Sequence, residues 1–279
     1  KIEKHFNYYY SFNVIRNGYI VFESNNKHHY EEKRSQIIKT CFSLLAKALR
    51  KPGDTFNYKY SGMFNLRTVT KSITSILLGI AIDKGYIKSI DEKVLDYLPQ
   101  CYRQITDERK KNLSIQHLLT MKSGIPSIEG GANKFLFEPL GINEVSWEKD
   151  SKGINFGGGN LFMYPYNLAK IGYLYLNNGV WDNKMIVSKQ WIEQSLKSYF
   201  EWDYGFHYGY LWYLRNEKNE KTGGEYIAYS ASGAGGQKIY IIPDLDIVIV
   251  ATSRTSLLKD TSYILNDVIG KFILPSVKF

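Results

Sequence analysis

Leu66-Arg67-Thr68-Val69-Thr70-Lys71-Ser72-Ile73-Thr74-Ser75 is the stretch on which the reading of this chain turns. From Thr68 to Lys84 apolar residues fall on nearly every face of a helical wheel, so the spacing predicts a buried helix. Gly85 ends it, being a residue that tolerates the left-handed turn at a helix C-terminus. With the helix starting near Thr68, positions 68 and 71 lie on one face about a turn apart. A hydroxyl at a helix N-terminus meets the positive end of the dipole and free backbone N–H groups, which favour a developing oxyanion. A lysine one turn on, desolvated by an apolar helix, has its pKa lowered and can serve as a base. The same spacing fits a plainer reading, in which Thr68 caps the helix and Lys71 extends to solvent.

On either side of this segment the pattern changes period. Phe12 to Phe22 holds two β-prone runs around Asn17-Gly18, a dipeptide suited to the positive φ angles of a tight hairpin. Near the other end, Lys238–Ile242 and Ile247–Ala251 flank Pro243-Asp244-Leu245-Asp246, again strand, turn, strand. Between the hairpins the pattern is helical. Ser114 to Met121 begins with a capping serine, and Asn167–Leu176 and Ser188–Lys197 are amphipathic. A terminal helix is predicted over Thr261–Ile273, with Ile264, Leu265, Val268 and Ile269 on one side. Strands at both ends with helices between them give an α+β class, the terminal hairpins pairing into one antiparallel sheet.

Composition excludes several functions. The 279 residues are 44% hydrophobic and 23% charged, ample for a folded core and unlike a disordered chain. The longest apolar run, Ile73 to Ile82, is far shorter than the roughly 20 residues a bilayer-spanning helix needs. Two cysteines, Cys41 and Cys101, exclude a disulfide scaffold and a Cys-rich metal site. The histidines (His5, His28, His29, His117, His207) lack metal-ligand spacing, so no metal is expected. A net charge of +9 permits contact with anionic surfaces, and a cationic surface-binding protein is one reading of it. The basic residues form no stripe, however, and no recognition motif accompanies them, so nucleic acid is not expected as a partner. Gly157-Gly158-Gly159-Asn160 and Gly233-Ala234-Gly235-Gly236-Gln237 are Gly-rich but lack phosphate-loop or dinucleotide spacing.

Thr68-Val69-Thr70-Lys71 resembles the Ser-x-x-Lys motif that opens a buried helix in the serine β-lactamase and penicillin-binding-protein superfamily. Further segments agree: Ile115 to Gly124, Phe137-Glu138-Pro139-Leu140-Gly141-Ile142, Gly172 to Gly179, and Ser232 to Gln237. Within that superfamily the chain is most similar to class C β-lactamase-related serine hydrolases and esterases. The resemblance implies a single β-lactamase-like domain over residues 1–279. Its antiparallel sheet comes from about 1–67 and 200–279, and its reduced helical region from about 68–199. It also implies an acyl-enzyme hydrolase of esters or small amides that needs no metal or organic cofactor. Thr68 would be the nucleophile, Lys71 the base, and the backbone N–H groups of Thr68 and Gln237 the oxyanion hole. Gly235 and Gly236 would line the substrate beside Gln237. The ligand would be a small ester, amide or peptide-like molecule. Oligomeric state and compartment stay open, with export favoured by the habit of relatives and compatible with a start at Lys1.

The chain departs from the family pattern in several places. Threonine at the nucleophile position adds a methyl that restricts χ1 and crowds the attacking oxygen. The family's second-motif tyrosine, in Pro-Gly-x-x-Phe-x-Tyr, is missing between Ile125 and Phe137. Its match, Pro52-Gly53-Asp54-Thr55-Phe56-Asn57-Tyr58, lies upstream of Thr68 instead. Three accounts of Tyr58 are open. The segment has moved and still reaches the site, with Tyr60 as second candidate; residues are missing or reordered around 125–137; or the Pro-Gly turn is a coincidence. The short 125–137 link predicts a more open cleft, flexible at Gly130-Gly131, and makes 279 residues short for the family. Ala234-Gly235-Gly236 replaces the family's Lys-Thr-Gly, which argues against penicillins and for esters or uncharged amides. A literal Lys221-Thr222-Gly223 sits in a polar turn and reads as a decoy. Together the departures support an alternative function, an impaired homologue that binds peptide or cell-wall-like ligands without turnover.

Overall fold

The computed structural model describes residues 9–25, 62–97, 107–121, 132–151, 153–201, 205–253 and 268–277. Outside them lie Tyr58 and Tyr60, Cys41, Cys101, His5, His28, His29, the link from Ile125 to Gly131, and Thr261 to Asp267 of the expected terminal helix.

The strands, in chain order, begin with β1 (Ser11–Arg16), β2 (Tyr19–Asn25), β3 (Phe64–Asn65), β4 (Val145–Trp147) and β5 (Leu161–Met163). Two-residue strands follow: β6 (Val180–Trp181), β7 (Lys184–Met185), β8 (Phe200–Glu201) and β9 (His207–Tyr208). The last four are β10 (Tyr213–Lys218), β11 (Glu225–Gly233), β12 (Gln237–Ile242) and β13 (Ile247–Thr252). Eight of them form one antiparallel sheet in the order β2-β1-β13-β12-β11-β10-β9-β8. The two ends of the chain meet at its centre, with Ser11 opposite Thr252 and Arg16 opposite Ile247. This pairing is the one the terminal hairpins predict. Each hairpin turns on left-handed backbone, at Asn17 (φ +50°) and Gly18 (φ +75°) and at Asp246 (φ +52°).

Four helices matter for the site: α1 (Val69–Asp83), α2 (Ile115–Leu119), α3 (Pro165–Leu176) and α4 (Lys189–Ser195). Each lies where apolar spacing places it, with ends shifted by a residue or two. The α4 start is fixed by Ser188, whose Oγ accepts the Trp191 N–H at 3.2 Å. The helices α1 and α3 pack on one face of the sheet. There Val69, Ile73, Ile76, Ile80, Leu168, Ile171 and Leu174 join Ile239, Ile241, Val248 and Val250 in the larger core. The approach is close at Gly172, where a Cβ would stand 2.5 Å from Val248 Cγ1 and 2.9 Å from Ile239 Cγ2. On the opposite face Phe12, Val14, Tyr240, Ile249 and Ala251 pack with Val268, Ile269 and Leu274 of the terminal helical segment. Alternation along β12 and β13 therefore feeds two cores from one pair of strands. No helix among the described residues is long and apolar enough to cross a membrane.

Candidate active site

The chain enters α1 through a constrained turn. After β3 pairs with β5, Leu66 N–H donates to Leu161 O at 2.8 Å. Arg67 then adopts φ +52°, a left-handed conformation that costs a non-glycine residue roughly 1 kcal/mol. Its N–H donates to Asn65 Oδ1 at 2.9 Å. The N–H groups of Val69, Thr70 and Lys71 donate to the carbonyls of Leu66, Arg67 and Thr68 at 3.1, 3.2 and 3.0 Å. Thr68 is thus held at φ −69°, ψ −15°, and its side chain makes no capping hydrogen bond. The residue sits where a cap belongs, yet its hydroxyl is not spent on the helix.

One turn on, Lys71 is half-buried. Its Nζ lies 3.6 Å from Met121 Sδ, and no carboxylate among the described residues is within ion-pair distance of it. Desolvation by burial lowers its pKa below the ordinary lysine value. The contact with Met121 is set by a chain of bonds across three segments. Ser72 Oγ donates to Leu211 O at 2.6 Å, and Leu211 N–H donates to Leu119 O at 3.0 Å. That ties the last turn of α2, and Met121 just beyond it at φ +58°, to the first turn of α1. Ser72 is thereby committed, and its hydroxyl has a structural task.

Two further segments wall the turn. The Gly157–Asn160 loop lies along the start of α1: Thr74 Oγ1 donates to Gly157 O at 2.9 Å, and Asn65 Nδ2 to Asn160 Oδ1 at 3.4 Å. Sequence spacing gave this loop no role. Its signal was the run of glycines ending in an asparagine, here at φ +59°. The other wall is the end of β11. A Cβ on Gly233 would stand 2.4 Å from Leu66 O and 3.3 Å from Arg67 Cβ. The strand therefore approaches the turn before α1 as closely as a glycine allows.

The sequence-predicted residues distribute around this contact. Gly235 (φ +84°) and Gly236 (φ +93°) form the turn between β11 and β12, beyond Gly233. Gln237 pairs with Gly233 across the hairpin. Its buried side chain is engaged by Ser253, whose N–H donates to Gln237 Oε1 at 3.3 Å and whose carbonyl accepts from Nε2. So the hairpin brings Gln237 backbone near Gly233, while its amide serves as a tether to the strand behind. Lys221-Thr222-Gly223 occupies the turn at the opposite end of β11 from Gly233, where Asn219 Oδ1 accepts the N–H groups of Lys221 and Thr222. Tyr58 lies outside the described residues. Gly62, the nearest described residue to its segment, meets the ring of Tyr164, with a Cβ position 2.8 Å from Cε1. Among the described residues no group of three or more His, Cys, Asp or Glu could hold a metal ion. His117 instead caps its own helix, its Nδ1 accepting the Ser114 N–H at 3.1 Å.

A surface groove of about 330 Å³ lined by Lys84, Phe135, Trp181 and Met185 lies at the other end of α1. At about 1.5 Å per residue, the fifteen-residue helix separates it from Thr68 by roughly 20 Å. It is not part of this site.

The antiparallel sheet, the buried helix opening on a hydroxyl and a lysine, and the hairpin against it define the β-lactamase and penicillin-binding-protein fold. Solved structures share it. The penicillin-binding protein from Bacillus halodurans superposes with a TM-score of 0.64 at 11% identity, over 96% of this chain and 98% of that one. The class C β-lactamase from Rhodobacter sphaeroides gives 0.58 at 12% identity, over 95% and 94%. EstCE1, a hydrolase with promiscuous acyltransferase activity, gives 0.60 at 10% identity, over 94% and 93%. No family model and no curated protein sequence matches the chain. The chain spans 98% of the Bacillus halodurans protein but 75% of the octameric penicillin-binding protein homologue from Pyrococcus abyssi, which superposes with a TM-score of 0.61 at 17% identity over 96% of this chain.

Proposed function

We propose that the protein hydrolyses esters or small amides through a covalent acyl-enzyme on Thr68. The observation that carries this is an uncapped Thr68 hydroxyl at the start of α1, with a half-buried Lys71 one turn on that has no carboxylate among the described residues within ion-pair distance. The shared fold with hydrolases supports it. Lys71 in its neutral form takes the Thr68 proton as Oγ1 attacks the carbonyl carbon. The developing oxyanion is met by the N–H groups of Thr68 and Gln237, and Gly235 and Gly236 leave the backbone bare beside it. The proton passes to the leaving alcohol or amine, with Tyr58 proposed as the shuttle. Water then attacks the acyl-threonine and releases the acid. No cofactor enters this scheme.

A second reading is a binder of peptide-like ligands without turnover. The threonine methyl and the Met121 thioether against Lys71 favour it, since both crowd the transfer of the proton. Labelling with a fluorescent acyl-phosphonate and turnover of a short-chain chromogenic ester decide between the readings. Thr68→Ser removes only the methyl and is expected to raise turnover strongly. Absence of labelling and of turnover above a Lys71→Ala background, in both wild type and Thr68→Ser, selects the binder.

A further inference from the structure

The side chain that meets the Lys71 amine is a thioether open to solvent. Lys71 Nζ donates to Met121 Sδ at 3.6 Å, while Met121 is 45% exposed. That sulfur hangs from a fixed stretch of backbone. Met121 takes φ +58° just past α2, its N–H donates to Leu118 O at 3.1 Å, and Leu211 N–H holds Leu119 O. A thioether is a weak acceptor, so it packs against the amine without favouring the charged form. Burial is what lowers the Lys71 pKa, with no charged side chain among the described residues contributing, and it favours the neutral amine. The other methionines of the four are placed differently. Met163 is fully buried, Met63 is half-buried, and the exposed Met185 lines the groove at the far end of α1. Met121 combines access from solvent with a hydrogen bond from the proposed base.

We propose that Met121 is a site of reversible oxidation, at which a peroxide converts the thioether to a sulfoxide whose oxygen holds the Lys71 ammonium and silences the site. A sulfur lone pair takes one oxygen atom from the peroxide, the O–O bond breaks, and water leaves (or the alcohol of an organic peroxide). The sulfur is oxidised by two electrons and the peroxide is reduced by two. A sulfoxide oxygen is a strong acceptor where the thioether was a weak one. It stabilises the ammonium through a charge-assisted hydrogen bond and so opposes the burial that keeps the amine neutral. A hydrogen bond to a charged group lowers the neutral share of a lysine at fixed pH roughly tenfold to a hundredfold. A methionine sulfoxide reductase returns the thioether and with it the neutral amine. The effect on turnover rests on the proposed function; the modification and its effect on the lysine do not.

The test treats the full chain with hydrogen peroxide and maps its peptides by mass. Oxygen addition is expected at Met121 and at the exposed Met185, and not at the buried Met163. On the same samples, acetylation of Lys71 by acetic anhydride is followed across a pH series, because only the neutral amine reacts. Oxidation should move the Lys71 midpoint to higher pH and cut turnover of a chromogenic ester at neutral pH about tenfold or more. Methionine sulfoxide reductase should reverse both. Met121→Leu, which is close in volume, should abolish the response of Lys71 to peroxide, whereas Met185→Leu should keep it. If Met121→Leu does not fold, Met121→Ala carries the same comparison. Three results overturn the inference: Met121 left intact while Met185 is oxidised, a Met121 sulfoxide with an unmoved Lys71 profile, or ester turnover that survives complete Met121 oxidation. A moved Lys71 profile with no ester turnover before or after treatment leaves the inference standing for the lysine and removes the hydrolase reading.

Discussion

Gly233→Ala places a methyl carbon 2.4 Å from the carbonyl oxygen of Leu66. A carbon and a non-bonded oxygen settle at about 3.4 Å, so something must move by about 1 Å. The oxygen cannot rotate away as a side chain could. Leu66 O is the acceptor for the Val69 N–H at 3.1 Å, and Leu66 N–H is itself bonded to Leu161 O. On the strand side, Gly233 is paired with Gln237. The strain therefore falls on the turn that holds Arg67 and Thr68. Overpacking of this kind costs roughly 1–3 kcal/mol, less the small gain from replacing a strand glycine, about 0.5–1 kcal/mol. A shift of about 1 Å at a reacting group costs roughly a hundredfold in rate. The variant should thus fold, melt a few degrees lower, and lose about two orders of magnitude in turnover of a chromogenic ester. Thermal unfolding and steady-state kinetics on the same preparation measure both. A Gly233→Ala protein with wild-type melting and wild-type labelling of Thr68 would refute the claim that β11 buttresses the turn carrying the proposed nucleophile.

Three other perturbations follow from the same geometry. Because burial lowers the Lys71 pKa, ester turnover should rise along a limb centred below the ordinary lysine value. Lys71→Arg, which stays charged, should lose about a hundredfold or more at every pH, as kinetics across a pH series would show. Gly79→Ala puts a methyl 2.4 Å from the Trp191 ring. The clash should outweigh the helix-propensity gain of about 1 kcal/mol and lower the melting temperature, read by circular dichroism. Glu217 is buried, accepts the Tyr240 hydroxyl and lies 3.2 Å from Arg215 Nε. Burial raises its pKa despite both partners. Its folded pKa thus exceeds the unfolded value, so its contribution is fully present below the unfolded pKa and is lost as pH rises through the folded one. Glu217→Gln should flatten that part of the melting-temperature profile, because an amide has no buried charge to form as pH rises.

Local chemistry carried much of the architecture. Asn17-Gly18 announced a hairpin because few other pairs accept positive φ at both positions, and the structure has φ +50° and +75° there. The helix after Thr68 was readable because its buried positions run on nearly every face, and Val69, Thr70, Ser72, Ile73, Thr74, Ser75, Ile76, Gly79 and Ile80 are all buried. Pairing of the terminal hairpins followed because two short apolar hairpins have few other ways to cover their edges. The walls of the site were another matter. The Gly157–Asn160 loop meets α1 through a threonine 83 residues away in the chain. The approach of Gly233 to Leu66 O has no local signature at all. A glycine at a strand end reads equally as a turn, and only a distant carbonyl makes it obligatory.

The division has one physical origin. Periodicity, capping and turn chemistry act within a few residues, so helix α1, both hairpins and the Thr68–Lys71 spacing were fixed by neighbours along the chain. The Met121 sulfur against Lys71, the Gly157 carbonyl on Thr74 and the approach of Gly233 to Leu66 O arise from contacts between segments far apart in sequence. Burial and hydrogen-bond geometry at those contacts depend on packing across the sheet, which no single stretch of residues encodes.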